Sequence, residues 1–220
     1  MDIIKKHLAL AYIKPLIPNN PIIVEAGAFD GTETRRMANL WPQATIHVFE
    51  PVPEIFERLV CNTSNLPHVQ HYRYALSDSD GTAEFNCAQK PGKAENPCQA
   101  GSLLKPHERT AWSPIMYNRT ITVPTITLDT WAAQNNIPAI DLLWLDVQGH
   151  ALSVLKAAPT VLKTLKVLHV EVEFVQAYEG QATVDEVIAW LQEQGFVAIA
   201  RNYATTTDWF FGDIIFVSKR

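Results

Sequence analysis

The chain has 220 residues, of which 47% are hydrophobic and 19% charged, with a net charge of −5. This length can bury one sizeable core, while the lack of a Lys/Arg run argues against a nucleic-acid partner and the lack of a long apolar stretch against a membrane span. The three cysteines, Cys61, Cys87 and Cys98, lack Cys-x-x-Cys spacing, so we expect no disulfide framework, no structural zinc site and a reducing, cytoplasmic location.

The first 20 residues predict a helical segment packed on the rest of the domain. Ile4, Leu8, Ala11 and Tyr12 recur at helical spacing. Lys and His interrupt the apolar run and no small-residue cleavage site follows, so we do not interpret the segment as a signal peptide. We find neither an internal repeat nor a second domain and therefore expect one domain over residues 1–220.

A glycine-rich turn follows a predicted buried strand at Ile22–Val24 and precedes a predicted helix at Thr32–Trp41. The pattern is Glu25-x-Gly27-x-x-x-Gly31, which differs from the dinucleotide spacing G-x-G-x-x-G. Glycine lets the backbone approach a ligand closely, and a strand-end carboxylate suits an ammonium group better than a phosphate. The pattern resembles motif I of S-adenosylmethionine (SAM)-dependent methyltransferases. A turn that needs glycine for structure alone is the alternative.

The second predicted strand, Ala44–Pro51, carries Glu50 near its end. In a nucleotide-binding α/β unit, a carboxylate about 20 positions after the glycine turn accepts the ribose hydroxyls. Glu50 is therefore a candidate for ribose binding. The alternative is a solvated strand end.

The remaining predicted elements alternate between strand and helix, which is typical of a mostly parallel sheet with helices on both faces. The last two strands are so close in sequence that they must pair antiparallel, an ending that resembles the class I methyltransferase fold and argues against a dinucleotide dehydrogenase. The elements are a helix at Pro53–Asn62, strands at Val69–Asp78 and Asp141–Val147, a helix at Leu152–Leu165 broken at Pro159, a strand at Val167–Phe174, a helix at Thr183–Gly195, and strands at Phe196–Asn202 and Phe210–Arg220.

One stretch, Asn86–Val123, interrupts this alternation and is rich in Pro, Gly, Asn and Ser. A loop of this length in a compact domain is usually functional or disordered. We interpret it as an insertion that forms a lid or recognises substrate. A tolerated surface excursion is the alternative.

Several segments, taken in order, resemble the FkbM-type methyltransferase family. They are EAGAFDG (25–31), FEP (49–51), YALSDSDG (74–81), VPTITLDTW (123–131), DLLWLDVQGHALSVLKAA (141–158), VEVEF (170–174), YEGQ (178–181) and GDIIFV (212–217). The resemblance implies a class I SAM-dependent methyltransferase fold with SAM as cofactor. It also implies O-methylation of a small-molecule hydroxyl, on a sugar or a natural product.

The resemblance also implies which residues bind each part of the cofactor. Those near the methionine part are Glu25, Gly27, Ala28, Phe29, Asp30 and Gly31; those near the ribose are Glu50, Pro51 and Val52; those near the adenine are Ala75, Leu76, Ser77 and Asp78; and Asp146 and Gln148 lie beside the methyl donor.

The fourth-strand motif departs from the common family form, Asp-Val-Glu-Gly-Ala-Glu. Here Gln148 and Ala151 replace two carboxylates, while Asp146 and Gly149 remain. Fewer carboxylates weaken the case for a divalent metal, so we predict none. His150, at the same place, is a candidate general base; capping or packing the following helix is its alternative role.

SAM carries an activated methyl group, so the protein must align a hydroxyl and accept its proton. The candidate bases are His150, Glu173 and Asp146; Glu171 shares a strand face with Glu173, which is nearer the strand end. Two other functions stay open, a SAM-binding module without activity and a nicotinamide-dependent oxidoreductase. Further candidates for substrate contact, each also consistent with an ordinary surface position, are Tyr178, Lys105, His107 and Trp112.

Overall fold

The computed structural model describes residues 1–92, 98–207 and 210–220. The strands are β1 (Asp2–Ile3), β2 (Ile22–Ala26), β3 (Thr45–Phe49), β4 (Val69–Tyr72), β5 (Ala75–Leu76), β6 (Gly81–Gln89), β7 (Met116–Ile126), β8 (Leu142–Leu145), β9 (Val167–Glu173), β10 (Phe196–Arg201) and β11 (Phe211–Ser218). The helices are α1 (Ala9–Ile13), α2 (Thr32–Leu40), α3 (Pro53–Asn62), α4 (Arg109–Trp112), α5 (Leu128–Gln134), α6 (Ala151–Lys156) and α7 (Val184–Glu193). None of these helices is long and apolar enough to cross a membrane.

The main sheet has the strand order β1-β10-β11-β9-β8-β2-β3-β4. Its central strands β9, β8, β2, β3 and β4 are parallel, and β11 lies antiparallel to both β9 and β10. The predicted fold class, a mostly parallel α/β sheet that ends in an antiparallel pair, is confirmed. Because the carboxyl ends of parallel strands meet at one edge, the loops after β2, β3 and β8 lie together.

Helix boundaries follow local sequence signals on both faces of this sheet. The predicted break at Pro159 is observed, since α6 ends at Lys156 and only a 3₁₀ turn at Val161–Lys163 follows. Helix α7 begins with a capping box in which the Thr183 backbone N–H donates to Glu186 Oε2 at 2.7 Å. A core cluster on each face buries the apolar sides of these helices.

The predicted helix of the N-terminal segment is wrong in its start and in its buried face. The chain begins as strand β1, in which Asp2 pairs with Ala200 of β10, and only Ala9–Ile13 is α-helical between two 3₁₀ turns. The strand start and the tighter turns shift the helical register. Ala9, Leu10 and Ile13 are therefore buried, while Leu8 is 45% exposed.

The predicted third strand and the predicted long loop are also corrected. The third strand ends at Tyr72, and β5 belongs to a second sheet of order β5-β7-β6. The two ends of Asn86–Val123, at 86–89 and 116–123, lie in β6 and β7, which pair antiparallel. Polar residues alternate with Ala83, Phe85 and Cys87 along β6, so one face of this small sheet is apolar and the other polar, unlike the continuous apolar runs of the central strands.

Candidate functional site

A cavity opens at the carboxyl edge of the main sheet and is closed on one side by the second sheet. The loops after β2, β3 and β8 contribute to it, together with the start of β11 and the N-terminal segment. From the second sheet and the chain that follows β6, the lining residues are Phe85, Cys87, Ala88, Cys98, Gln99, Gly101 and Leu103.

The glycine turn after β2 packs against the end of β8. Gly27 has φ +81°, and a Cβ on it would lie 1.9 Å from the carbonyl oxygen of Asp146. The N–H groups of Gly27 and Ala28 donate to the Phe49 carbonyl, at 3.1 and 3.0 Å. Gly27 is thus required by the approach of two backbone segments, which the sequence pattern alone did not indicate.

The second glycine of the motif serves packing outside the cavity. A Cβ on Gly31, at φ +81°, would lie 2.9 Å from both Leu59 Cδ1 and Thr63 Cγ2 of the α3 region. Asp30, which does line the cavity, accepts a hydrogen bond from the Thr32 N–H at 3.1 Å. Gly31 therefore brings α2 close to α3 and does not line the cavity.

Glu50 joins the loops after β2 and β3. Its Oε2 accepts from the Phe29 N–H at 3.2 Å, and its Oε1 accepts from the Val52 N–H at 2.9 Å. The side chain is buried at the cavity wall, and burial raises its pKa to about 8 although both backbone donors favour the charged form.

Glu25 lies at the end of β2 and lines the same cavity. Its Oε2 accepts from the Thr34 hydroxyl at 2.5 Å. Burial raises the pKa of Glu25 to about 8, against the effect of the Thr34 bond and together with the nearby charge of Glu33.

The predicted adenine side is formed by the segment after β4. Ala75 and Leu76 line the cavity, whereas Ser77 is buried behind them. The Ser77 hydroxyl lies 3.3 Å from His150 Nε2, so the loop that begins α6 contacts this side of the cavity. Burial lowers the pKa of His150, with an opposing effect of Asp78, and the imidazole is neutral near pH 7.

Gln148 links the end of β8 to the end of β9. Its Nε2 donates to Asp146 Oδ1 at 2.7 Å and to Glu171 Oε1 at 2.6 Å, and its Oε1 accepts from the Tyr178 hydroxyl at 3.0 Å. A glutamate here would offer no donor to those two carboxylates. The amide at this position, which departs from the common family motif, therefore lets two buried acids lie side by side.

Asp146, Glu171 and Asp213 form a row across three strand ends, which we call the carboxylate row. Glu171 and Asp213 face each other in the β9–β11 register, and Lys6 Nζ lies 3.3 Å from Asp213 Oδ2. Burial raises the pKa of Glu171 well above its ordinary value, and the charge of Asp146 adds to this. Burial opposes the charge of Lys6, but Asp213, Glu171 and Asp146 together raise its pKa.

The segment that follows β6 is fixed to the main sheet by hydrogen bonds. The Ser102 hydroxyl donates to the Gln148 carbonyl at 2.7 Å, and the Tyr178 hydroxyl shares its one hydrogen between Gln148 Oε1 and the Ala100 carbonyl, each at 3.0 Å. The His107 N–H donates to the Ala177 carbonyl at 2.8 Å. This part of the insertion is therefore a bonded wall of the cavity.

Most of the predicted site residues line one cavity. These are Glu25, Gly27, Ala28, Phe29, Asp30, Glu50, Pro51, Val52, Ala75, Leu76, Asp146, Gln148 and His150. Gly31, Ser77, Asp78 and Glu173 do not line it.

The predicted substrate contacts are not brought together at the cavity. Tyr178 is fully buried behind Gln148, and Lys105 and His107 are exposed and do not line the cavity. The side chain of Trp112 lies outside the described residues.

Sequence reasoning missed Lys6, Trp144 and Asp213, which all line the cavity. Asp213 belongs to the GDIIFV segment, whose resemblance to the family could have singled it out. Nothing in the N-terminal segment singled out Lys6. Among residues 1–92, 98–207 and 210–220, no group of three or more His, Cys, Asp or Glu side chains is arranged to hold a metal ion. A site without a metal stays a prediction.

The fold is that of the class I SAM-dependent methyltransferases. A magnesium protoporphyrin IX methyltransferase from Synechocystis PCC 6803 with bound SAM has a TM-score of 0.55 at 11% identity, with 97% of this chain and 76% of that chain covered. An rRNA methylase from Streptococcus thermophilus has a TM-score of 0.56 at 11% identity, with 100% and 99% covered.

The sequence comparisons define the family. The model of the methyltransferase FkbM domain matches residues 25–198, and the chain belongs to this family. 2-O-methyltransferase NoeI of Sinorhizobium fredii is 28% identical over 180 residues, which cover 81% of this chain and 74% of that protein. Hexuronic acid methyltransferase AglP of Haloferax volcanii is 28% identical over 131 residues, which cover 59% of this chain and 48% of that protein. The protein is thus a methyltransferase, and the nicotinamide-dependent alternative is not supported.

Proposed function

We propose that this protein binds SAM in the cavity and O-methylates a hydroxyl of a small, sugar-like molecule. The names of its two relatives support an oxygen acceptor in one case and a sugar acid as substrate in the other. The geometry of the cavity supports SAM as the cofactor, and the main observation behind this assignment is the position of Glu50.

That observation is the position of Glu50 between two loops. Each of its oxygens accepts one backbone N–H, and each keeps a lone pair for a ribose hydroxyl. Ala75 and Leu76 offer apolar surface to an adenine, and an ammonium group beside Glu25 would favour the ionised form of this acid and pair with it. The residues present therefore fit the three chemically different parts of SAM.

When bound, SAM supplies a methyl group that its sulfonium already activates. The chain must hold the acceptor hydroxyl in line and take up its proton. We propose that Asp146 is the general base that accepts this proton, because it lines the cavity and its Oδ1 accepts a hydrogen bond from the Gln148 amide. Burial raises the pKa of Asp146, against the effects of Lys6 and Gln148, so that the carboxylate is a stronger base than an exposed one.

The other two candidate bases are less well placed. His150 lines the cavity but lies against Ser77, on the side we assign to adenine. Glu173 is buried, does not line the cavity, and accepts from the Gly149 N–H. We therefore assign His150 to the cofactor side and Glu173 to support of the loop that carries Gly149.

The wall formed by the insertion gives the site its water-excluding side. Ser102 and Tyr178 bond this wall to the β8 end, so it does not depend on a free loop. Removing water strengthens the electrostatic interactions of the buried carboxylates. We propose that residues 98–103 and β6 shape the space for the acceptor.

Calorimetric titration with SAM, S-adenosylhomocysteine (SAH) and NADH tests the cofactor. We expect binding of SAM and SAH and none of NADH; the opposite pattern would contradict the proposal. Transfer of a labelled methyl group from SAM to a panel of sugars and polyols then tests the activity. SAM binding without transfer to any hydroxyl compound would instead indicate a non-catalytic SAM-binding module.

A further inference from the structure

The described lining of the cavity is strongly unbalanced in charge. It includes carboxylates from five loops and strands but, among the residues that the structure describes, a single Lys or Arg side chain, that of Lys6. The acidic members are Glu25, Asp30, Glu33, Glu50, Asp146 and Asp213.

The amine of Lys6 is already matched by acids of the chain itself. Its Nζ lies 3.3 Å from Asp213 Oδ2, and Asp146 and Glu171 also act on its charge. Asn202 fixes the other side of this pair, because its Nδ2 donates to Asp213 Oδ2 and its Oδ1 accepts from the Asp213 N–H at 2.8 Å. Lys6 is therefore the counter-ion of the carboxylate row, and an anionic ligand would have to compete with Asp213 for its charge.

The carboxylate row lies in the part of the cavity that the residues proposed to bind the cofactor do not occupy. Glu25 and Glu50 serve SAM in our proposal, whereas Asp146 and Asp213 line the space beside them. Trp144, two residues before Asp146 on the same strand face, also lines this region and stacks on His169 with the ring centroids 3.4 Å apart. Carboxylates accept hydrogen bonds from hydroxyl and ammonium groups but have none to donate.

We infer that the methyl acceptor is a neutral or amine-bearing polyhydroxylated molecule, such as a neutral sugar or an amino sugar, and not a uronic acid or a phosphorylated sugar. The inference rests on the proposed function and names its substrate class. An acidic acceptor would bring a further acid beside Asp146 and Asp213, where the one lysine of the described lining is already paired with Asp213, and this is costly at a partly buried site. In this respect the protein differs from its relative named for hexuronic acid.

The test uses the full chain saturated with SAH and three matched ligands: methyl glucoside, methyl glucosaminide and methyl glucuronide. Saturation-transfer NMR measures their binding, and labelled SAM measures methyl transfer. We expect the neutral and amino sugars to bind at least about tenfold more tightly than the uronate, because like charges face each other only in the last complex. Equal or tighter binding of the uronate overturns the inference, and so does failure of both other sugars to bind.

Two substitutions change the charge balance in opposite directions. Asp213→Asn removes one acid and releases Lys6, so the preference against the uronate should shrink about tenfold. Lys6→Met should enlarge this preference, because it removes the positive charge. Lys5→Met is the control: Lys5 is an exposed neighbour, and its replacement should leave the preference unchanged. No change with Lys6→Met overturns the inference, even if the Asp213 variant does not fold. Unchanged SAH affinity in each variant separates this result from a failure of the proposed function, in which SAH would not bind to the parent protein.

Discussion

The two sides of the cavity differ in how their residues are assembled. The side that we propose for the cofactor is built from the turns after β2, β3 and β4, within residues 25–76, so each element follows the previous one in the chain. The side that we propose for the acceptor joins Lys6, Asp146 and Asp213, which lie far apart in sequence and meet only through the strand order. A side made of successive strand ends can be predicted from local motifs, whereas the other requires the topology of the whole sheet.

The largest effect is expected where the two sides meet, at Gly27. In Gly27→Ala the new Cβ collides with the Asp146 carbonyl oxygen, and the backbone φ of +81° is strained for alanine. We therefore expect a stability loss of about 3–5 kcal/mol and loss of SAM binding. Urea denaturation and calorimetry measure both. The control is Gly180→Ala, at φ +72° without a neighbour within 4 Å among the described residues, for which we expect about 1–2 kcal/mol. Equal losses in the two variants would show that the contact between the sides contributes nothing.

The division of roles between the sides is tested at Asp146 and His150. We expect Asp146→Asn to lower the methyl-transfer rate by about 10²–10⁴, as for a lost general base. His150→Ala should raise the KM for SAM and leave the rate at saturating SAM nearly unchanged, because His150 contacts Ser77. Steady-state kinetics with an accepted sugar measures both. The reverse pattern would move the base to His150.

On the side proposed for the cofactor, Glu50→Ala should weaken SAM binding by about 1–3 kcal/mol, because a buried acceptor for the ribose hydroxyls is lost. The apo protein should also lose stability, since the Phe29 and Val52 N–H groups lose their acceptor. Glu57→Ala, on the exposed face of α3, is the matched control for calorimetry and denaturation. A SAM affinity as high as that of the parent would place the ribose elsewhere.

The smallest effect concerns the pH dependence of stability and the buried acid Glu25. Its pKa is about 8 in the folded protein and near 4.5 when unfolded, so its contribution is fully present below pH 4.5 and is lost as the pH rises toward 8. Buried His47, whose folded pKa of about 4 lies below its ordinary 6.5, acts in the opposite direction, and its contribution to the slope declines as the pH rises above 6.5.

We therefore expect the unfolding free energy of the apo protein to fall between pH 6.5 and 8, and Glu25→Gln to remove about 1–2 kcal/mol of that fall. Urea denaturation at both pH values measures it, with exposed Glu193→Gln as the control. An equal fall in the parent and in the Glu25 variant would show that this acid ionises normally in the fold.

The sequence predicted the elements whose signals are local. The capping box at Thr183, the break at Pro159 and the antiparallel ending all follow from nearby residues, and all are observed. The second sheet was missed because the alternation of Ala83, Phe85 and Cys87 with polar residues in β6 is short, and its partner β7 lies beyond a long connection. Gly27 was identified as a position of close approach to a ligand, whereas the close approach that the structure shows is to the backbone at Asp146, which is 119 residues away. Long-range partners of this kind leave no local pattern.

The pairing of β1 with β10 has a consequence for the order in which the protein is built. Asp2 pairs with Ala200, so strand β1 has no partner until β10, at Phe196–Arg201, has been synthesised. Strands β2, β3 and β4 pair with one another and are close together in the chain. During synthesis, Lys6 therefore reaches its position beside Asp213 only after β10 and β11 exist, so the region that we propose for the acceptor is completed later than the turns after β2, β3 and β4 that we propose for the cofactor.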